Sequence, residues 1–179
     1  FDVGSNCGYY SFIIAKEILD INIISFEPNK EAYFKFIKTL EDNATLSKKI
    51  NAVNFGLSNR SSQLEMQSMI KHGYSQTGGT AIIDKNKYEN FETFFGDFKI
   101  GSEYIKLFNK KIAIKIDVEG HELKVLEGLK KVLQQNKAII QIEIFTKNFQ
   151  ETNSFLISLG YEEIFSIKKR SNYFYTNIK

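Results

Sequence analysis

Apolar and polar residues repeat along the chain with two different periods, and the two periods alternate. Segments 9–20, 29–40, 122–134 and 149–159 place apolar residues every three or four positions, which is typical of amphipathic helices. Asn29 is suited to cap the second of these helices. Short apolar runs rich in isoleucine have the composition of buried parallel strands. Strands are expected at 1–3, 21–26, 50–55, 112–118, 138–145, 161–167 and 173–177.

The order of these elements predicts an α/β fold. Strands and helices alternate, which predicts a mostly parallel sheet with helices on both faces, and the closing hairpin makes the last strand antiparallel. We expect a single domain over 1–179 with an irregular segment at about 60–110. Within it, Gln63 to Ser68 alternates as an edge strand would, whereas Tyr88 to Phe108 is aromatic without a clean period. The chain opens in mid-strand without methionine, so we expect it to be truncated at its N-terminus.

Composition narrows the classes of function. The 179 residues carry 24 basic and 21 acidic side chains, so the net charge is 24 − 21 = +3. Only Arg60 and Arg170 are arginines, which disfavours a dedicated nucleic-acid binder. The single cysteine, Cys7, excludes an internal disulfide framework and a cysteine-based zinc site, and the sequence contains no metal-binding motif. No apolar run is long enough to span a membrane and no signal peptide is visible, so we expect a cytoplasmic protein.

The first candidate site is the turn Asp2–Gly8, which joins the first strand to the first helix. Glu27 follows Gly8 by nineteen residues, at the end of the second strand, where a carboxylate can accept hydrogen bonds from two ribose hydroxyls. The turn has Asn6 where a dinucleotide fingerprint has its central glycine, so a crowded pyrophosphate fits poorly. The pattern favours a ribose-bearing ligand such as S-adenosylmethionine. The alternative is a tight structural turn and a surface glutamate.

The second candidate site follows the strand at 112–118. Lys115 and Asp117 share one face of that strand, and Asp117 stands at its carboxyl end. Glu119, His121 and Glu122 follow, and so many ionisable groups are costly in a core but useful at a cleft. The alternative is that the glutamates favour the positive end of the next helix and that His121 is solvated.

Gln141 and Glu143 form a third polar pair, on one face of the strand at 138–145. If this strand neighbours the strand of Lys115, Lys115 and Glu143 can form an ion pair across it, and a substrate role is the alternative. Asp117, Glu119 and Glu143 gathered around a hard cation are a further alternative.

Four segments together resemble the FkbM family of S-adenosylmethionine-dependent methyltransferases. They are 1–11, the Phe26-Glu27-Pro28 corner, 54–59 and 114–128, and they occur in the family's order over nearly the whole chain. The resemblance implies a class I methyltransferase fold, Rossmann-like, with a seven-stranded sheet whose last strand is antiparallel. The candidate cofactor-binding residues are Asp2, Gly4, Ser5, Asn6, Gly8, Glu27, Pro28, Gly56 and Leu57.

The resemblance also implies O-methylation of a hydroxyl on a sugar or a secondary metabolite, with S-adenosylmethionine as the cofactor. The acceptor is then a small molecule or a glycan. Asp117 is the first candidate for the base that takes the hydroxyl proton and His121 the second, while Glu119 and Glu122 would position substrate hydroxyls. Two alternatives are a non-catalytic ligand-binding or assembly domain with the same fold and an RNA ribose 2′-O-methyltransferase, which would need a basic groove.

Overall fold

The computed structural model describes residues 1–83 and 90–179 and divides the chain into two compact units. The first unit comprises Phe1–Gly56 and Ser62–Phe98, and the second comprises Leu57–Ser61 and Lys99–Lys179. Tyr88, where the aromatic stretch of the sequence begins, lies outside the described residues.

The first unit begins with the predicted alternation of strands and helices. Its elements are β1 (Asp2–Val3), α1 (Tyr9–Glu17), β2 (Ile23–Phe26), α2 (Lys30–Glu41), α3 (Ala44–Ser47) and β3 (Ile50–Val53). The three strands pair in parallel. Asn29 caps α2 as predicted, because its side-chain oxygen accepts hydrogen bonds from the backbone N–H groups of Glu31 at 2.8 Å and Ala32 at 3.2 Å. The buried core beneath these elements consists of Ala15, Ile23, Phe36, Leu40 and Ile50.

A second, antiparallel sheet occupies much of the region from 60 to 110, where the sequence pattern shows little regularity. Its strands are β4 (Gly56–Ser58), β5 (Ser62–Lys71), β6 (Tyr74–Ile82) and β7 (Phe91–Ile100), in the order β4-β7-β5-β6. The strand predicted at Gln63–Ser68 is present within β5, but the prediction of an edge strand is wrong, because β5 lies between β7 and β6. A register shift between Gln67 and Met69 interrupts its alternation. The β5–β6 turn uses His72 and Gly73 at φ 52° and 78°, the geometry that a two-residue hairpin requires.

The second unit contains the remaining elements. They are α4 (Gly101–Tyr104), β8 (Lys111–Ile116), α5 (Glu122–Gln135), β9 (Lys137–Glu143), α6 (Phe149–Ser158), β10 (Glu162–Ile167) and β11 (Asn172–Thr176). β8 and β9 pair in parallel, while β11 lies between β9 and β10 and is antiparallel to both. The apolar stripe of α5 is buried, and it comprises Val125, Leu126, Leu129, Val132 and Leu133.

The main sheet has seven strands in the order β10-β11-β9-β8-β1-β2-β3. It is mostly parallel with an antiparallel strand from the closing hairpin, so the predicted fold class is confirmed. Across the two described ranges, no helix combines the length and the apolarity needed to cross a membrane.

Candidate functional site

The turn after β1 has a backbone shape that few residues adopt. Gly4 and Asn6 have φ angles of 79° and 48°, in the left-handed region. The N–H groups of Gly4 and Ser5 both donate to the carbonyl of Phe26, at 3.0 and 3.1 Å. These bonds fix the start of the turn against the end of β2, where Glu27 follows.

Gly8 closes the turn and begins α1, and two features require glycine there. Its φ is 84°, and a Cβ at this position would lie 2.3 Å from the ring of Phe36. The helix therefore approaches α2 more closely than any side chain at position 8 allows.

Glu27 is buried, with 6 % of its surface exposed, which excludes the alternative of a surface glutamate. Its Oε2 accepts a hydrogen bond from the N–H of Asn6 at 2.7 Å, and its Oε1 accepts one from the N–H of Asn29 at 2.8 Å. Asn54 Nδ2 donates to the Glu27 carbonyl at 2.8 Å and holds the corner. Both carboxylate oxygens thus accept backbone hydrogen bonds, which fix the orientation of Glu27 at the end of β2.

Two polar atoms of the turn are buried without a hydrogen-bond partner among the residues that the structure describes. They are Ser5 Oγ and Asn6 Oδ1. Buried polar atoms are rarely left in this state, because each costs about 1–3 kcal/mol. Gly78 of β6 lies beside the same side chain, since a Cβ on it would be 3.8 Å from Asn6 Nδ2. The turn therefore has the polar groups that a bound polar ligand would satisfy.

Asp2 and Pro28, two other predicted cofactor contacts, have partners that explain them within the first unit. Ser11 Oγ donates to Asp2 Oδ2 at 2.6 Å and also lies 2.8 Å from Ser25 Oγ. This buried network joins β1, α1 and β2. Pro28 packs against β7, because a Cβ on Gly96 would come within 3.0 Å of its own Cβ.

Gly56 and Leu57 are likewise explained by packing. A Cβ on Gly56 would lie 2.4 Å from the ring of Phe98, so the absence of a side chain admits that ring. Leu57 is 1 % exposed, and its Cδ1 lies 3.5 Å from where a Cβ on Gly101 would be. Their place in the cofactor site stays a prediction that no described contact requires.

A cluster of carboxyl groups lies at the carboxyl ends of β8 and β9. Lys115 Nζ lies 3.4 Å from Asp117 Oδ2. The parallel register pairs Ile116 with Ile142, so that Asp117 and Glu143 leave their strands side by side. Burial raises the pKa of Glu143 to about 7, and a hydrogen bond to Asp117 with repulsion from that carboxylate contributes to the increase. The predicted Lys115–Glu143 ion pair stays a prediction.

The segment after Asp117 brings a further carboxylate toward this cluster. Glu119 has φ 55°, which is strained for a side chain of this kind, and its charge adds to the raised pKa of Glu143. Gly120 follows at φ 104°, its N–H donates to Glu122 Oε1 at 2.9 Å, and its carbonyl accepts from Asn148 Nδ2 at 3.4 Å. Glu122 is 2 % exposed, and burial raises the pKa of its carboxyl. The buried carboxylate of Glu122 therefore holds the turn by accepting the hydrogen bond from Gly120.

His121 has a different set of neighbours. Its Nε2 lies 2.9 Å from Ser58 Oγ. Burial is the largest cause that lowers the pKa of His121 to about 4; the charges of Lys124 and Arg60 contribute to the decrease, and Glu127 opposes it. The imidazole is therefore neutral at pH 7 and faces β4, which separates its role from that of the carboxyl cluster.

This pKa predicts acid sensitivity. In the unfolded chain His121 takes up a proton below about pH 6.5, whereas in the folded protein it does so only near pH 4. Stability is therefore expected to fall as pH falls from about 6.5 to 4, by about 1–2 kcal/mol between pH 7.5 and 5. Urea unfolding at the two pH values measures the loss. His121→Asn should remove this part of the pH dependence, while His72→Asn, at an exposed turn position, should retain it.

Among residues 1–83 and 90–179, no group of three or more His, Cys, Asp or Glu side chains is placed to hold a metal ion. The sequence pattern predicts Asp117 in the candidate site but predicts Lys115 as the partner of Glu143. The signal for the Asp117–Glu143 contact was available, because both residues follow the last isoleucine of adjacent parallel strands.

The seven-stranded sheet with its antiparallel strand, and the glycine turn facing a buried acid after β2, define a class I methyltransferase fold. The family model described as the methyltransferase FkbM domain matches residues 2–163. The chain belongs to the FkbM methyltransferase family, and the predicted resemblance is confirmed.

Three known proteins that are similar to this chain are a relative and two solved structures. The hexuronic acid methyltransferase AglP of Haloferax volcanii is 28 % identical over 181 residues, covering 96 % of the chain and 70 % of that relative. The structure of methyltransferase FkbM from Methylobacillus flagellatus is 15 % identical with a TM-score of 0.63, covering 98 % of the chain and 42 % of that protein. A putative rRNA-methylase from Clostridium thermocellum is 12 % identical with a TM-score of 0.53, covering 98 % and 82 %. The two structures share the fold.

Proposed function

We propose that the chain is an S-adenosylmethionine-dependent O-methyltransferase that acts on a hydroxyl group of a sugar. The observation that carries the proposal is the glycine turn, in which Ser5 Oγ and Asn6 Oδ1 are buried beside the Glu27 carboxylate and have no hydrogen-bond partner in 1–83 or 90–179. Family membership supports methyl transfer, and the relative that methylates a hexuronic acid supports a sugar acceptor. The cytoplasmic location and the lack of a nucleic-acid partner stay predictions.

The residues of the turn fit the predicted cofactor. Glu27 places a buried carboxylate at the turn, the group to which ribose hydroxyls hydrogen-bond, and Ser5 and Asn6 offer polar atoms that have no partner among the described residues. Gly4 and Gly8 have positive φ angles and no side chains, so the backbone of the turn can come close to a bound cofactor. When bound, S-adenosylmethionine supplies a methyl group that a hydroxyl oxygen can attack.

The carboxyl cluster supplies the groups for the acceptor. We propose that the Asp117–Glu143 pair takes up the hydroxyl proton, since a base is most effective when its pKa is close to the working pH. Lys115 holds Asp117 in place through its ion pair. Glu119 extends the cluster and hydrogen-bonds to further hydroxyls of the sugar, while Glu122 positions the turn. Most of the rate comes from orientation, which can supply roughly 7–11 kcal/mol.

Thermal melting with added ligands tests the cofactor class without knowledge of the acceptor. S-adenosylmethionine or S-adenosylhomocysteine at 100 times its dissociation constant should stabilise the protein by about 2.7 kcal/mol, which raises the melting temperature by roughly 5–10 °C. Nicotinamide dinucleotides should not. A clear shift with the dinucleotide and none with the methionine ligands would overturn the proposal.

Glu27→Gln is expected to weaken binding of these ligands at least about tenfold, because charge-assisted hydrogen bonds are worth about 1.5–3 kcal/mol each. Calorimetric titration with S-adenosylhomocysteine measures the loss. Glu31→Gln is the matched control, since Glu31 lies in α2 with its side chain 49 % exposed. Melting of both variants without ligand shows whether the fold is retained. Equal affinities for the two variants would remove Glu27 from the cofactor site.

A further inference from the structure

The turn between β10 and β11 carries three consecutive cations. Lys168, Lys169 and Arg170 form a short 3-10 turn, and all three are exposed. The ion pairs Lys35–Glu31, Lys115–Asp117 and Lys124–Glu127 do not involve this turn. The turn therefore presents three positive charges that no carboxylate of the described residues neutralises.

The fold places this cationic turn beside the carboxyl cluster. Asn172, the first residue of β11, pairs in register with Glu143, the last residue of β9. The N–H of Ile144 donates to the carbonyl of Ser171 at 2.8 Å, which ties the turn to the carboxyl end of β9. The backbone of the cationic turn is thus joined to the strand end that carries Glu143.

Side-chain hydrogen bonds hold the turn in this position. Asn172 Nδ2 donates to the carbonyl of Arg170 at 2.7 Å, and Asn172 Oδ1 accepts from Gln141 Nε2 at 3.2 Å. Ser171 reverses the chain with φ 53°. Because Gln141 lies opposite Lys115 in the β8–β9 register, one polar row connects the carboxyl cluster to the backbone of Arg170.

From this juxtaposition we infer that the Lys168–Arg170 turn binds an anionic group of the acceptor, a carboxylate or a phosphate, while the hydroxyl to be methylated lies at the Asp117–Glu143 pair. The inference rests on the proposed function. Carboxylates that recognise sugar hydroxyls repel an anionic sugar, and adjacent cations offset that repulsion. The guanidinium of Arg170 has the fork geometry that suits either anion.

Acceptors that differ only in the anionic group test the inference. Initial rates of S-adenosylhomocysteine formation are compared for a glucuronide, the matching glucoside and the glucoside 6-phosphate. The wild-type protein should have a kcat/KM at least about tenfold higher for one of the anionic acceptors than for the glucoside, and the better one identifies the anion. The triple variant Lys168→Ser/Lys169→Ser/Arg170→Ser should lose about tenfold on that acceptor and stay within threefold on the glucoside, because exposed charge contacts are individually weak but add up over three residues.

The control is the triple variant Lys110→Ser/Lys130→Ser/Lys131→Ser, which removes the same charge from exposed positions before β8 and along α5. It should keep the preference. Equal rates on charged and neutral acceptors, or equal losses in both triple variants, would overturn the inference and leave the proposed function standing.

If S-adenosylhomocysteine binds but no sugar is methylated, the proposed function fails, and titration of the same three sugars by NMR decides the inference. Shifts at Arg170 with the anionic sugars only would support it, and none would overturn it.

Discussion

Asp117→Asn is expected to lower turnover at least about a hundredfold while cofactor affinity stays within threefold. A base that accepts the hydroxyl proton contributes about 10²–10⁴-fold, and asparagine has a similar shape but cannot take up that proton. The ion pair with Lys115 and the hydrogen bond to Glu143 both depend on the same carboxylate. Single-turnover rates with a sugar that the protein methylates measure the chemical step apart from product release.

The pH dependence of the same rate tests the partner of Asp117. Glu143 loses its proton as pH rises through about 7, so the wild-type rate should rise over that range and level off above it. Glu143→Gln should lower the rate and remove the rise, because glutamine does not titrate. Glu162→Gln, at an exposed position of β10, is the control and should keep the wild-type profile. Near-normal turnover of Asp117→Asn with a flat Glu143→Gln profile would assign the proton to Glu143 alone.

Gly128→Ala is expected to destabilise the protein by about 3 kcal/mol, which lowers the melting temperature by roughly 6–12 °C. A Cβ on Gly128 would lie 2.0 Å from the carbonyl oxygen of Ser58 and 2.7 Å from its carbonyl carbon. These are backbone atoms of β4 and cannot rotate away, so strand and helix must separate. The separation also lengthens the bond between His121 and Ser58, which is 2.9 Å in the intact protein.

The sign of this effect distinguishes packing from helix propensity. Alanine is favoured over glycine in an exposed helix by about 1 kcal/mol, so propensity alone predicts stabilisation. Gln134→Ala, at an exposed position of α5, is the control and should change the melting temperature little. A Gly128→Ala protein that melts at or above the wild-type temperature would show that β4 does not pack tightly against α5.

The sequence predicts the main sheet well because its elements have clear periods. The strand at Ile112–Val118 and the apolar stripe from Val125 to Leu133 correspond to β8 and α5 within two residues. The antiparallel sheet of β5, β6 and β7 is much harder to predict, because a register shift after Gln67 breaks the alternation. The turn between β5 and β6 depends on the positive φ angles of His72 and Gly73, which composition does not indicate.

The candidate site divides in the same way. The positions of Gly4, Gly8 and Glu27 in the turn can be predicted. Positive φ angles favour glycine, and the spacing from Gly8 to Glu27 is visible in the sequence. The role of His121 is not, since the hydrogen bond to Ser58 joins residues 63 positions apart. Glu143 illustrates the same limit: its contact with Asp117 could be predicted from the pairing of β8 with β9, but its raised pKa could not, because burial is the largest cause of the increase.

The insertion of β11 between β9 and β10 has a consequence for the order of assembly on the ribosome. β10 is synthesised before β11 but is joined to β9 only through it. Until residues 172–176 emerge, β9 has an unpaired edge and β10 has no place in the sheet. The nascent chain therefore completes this side of the sheet in a single late step, when one strand pairs with both neighbours at once.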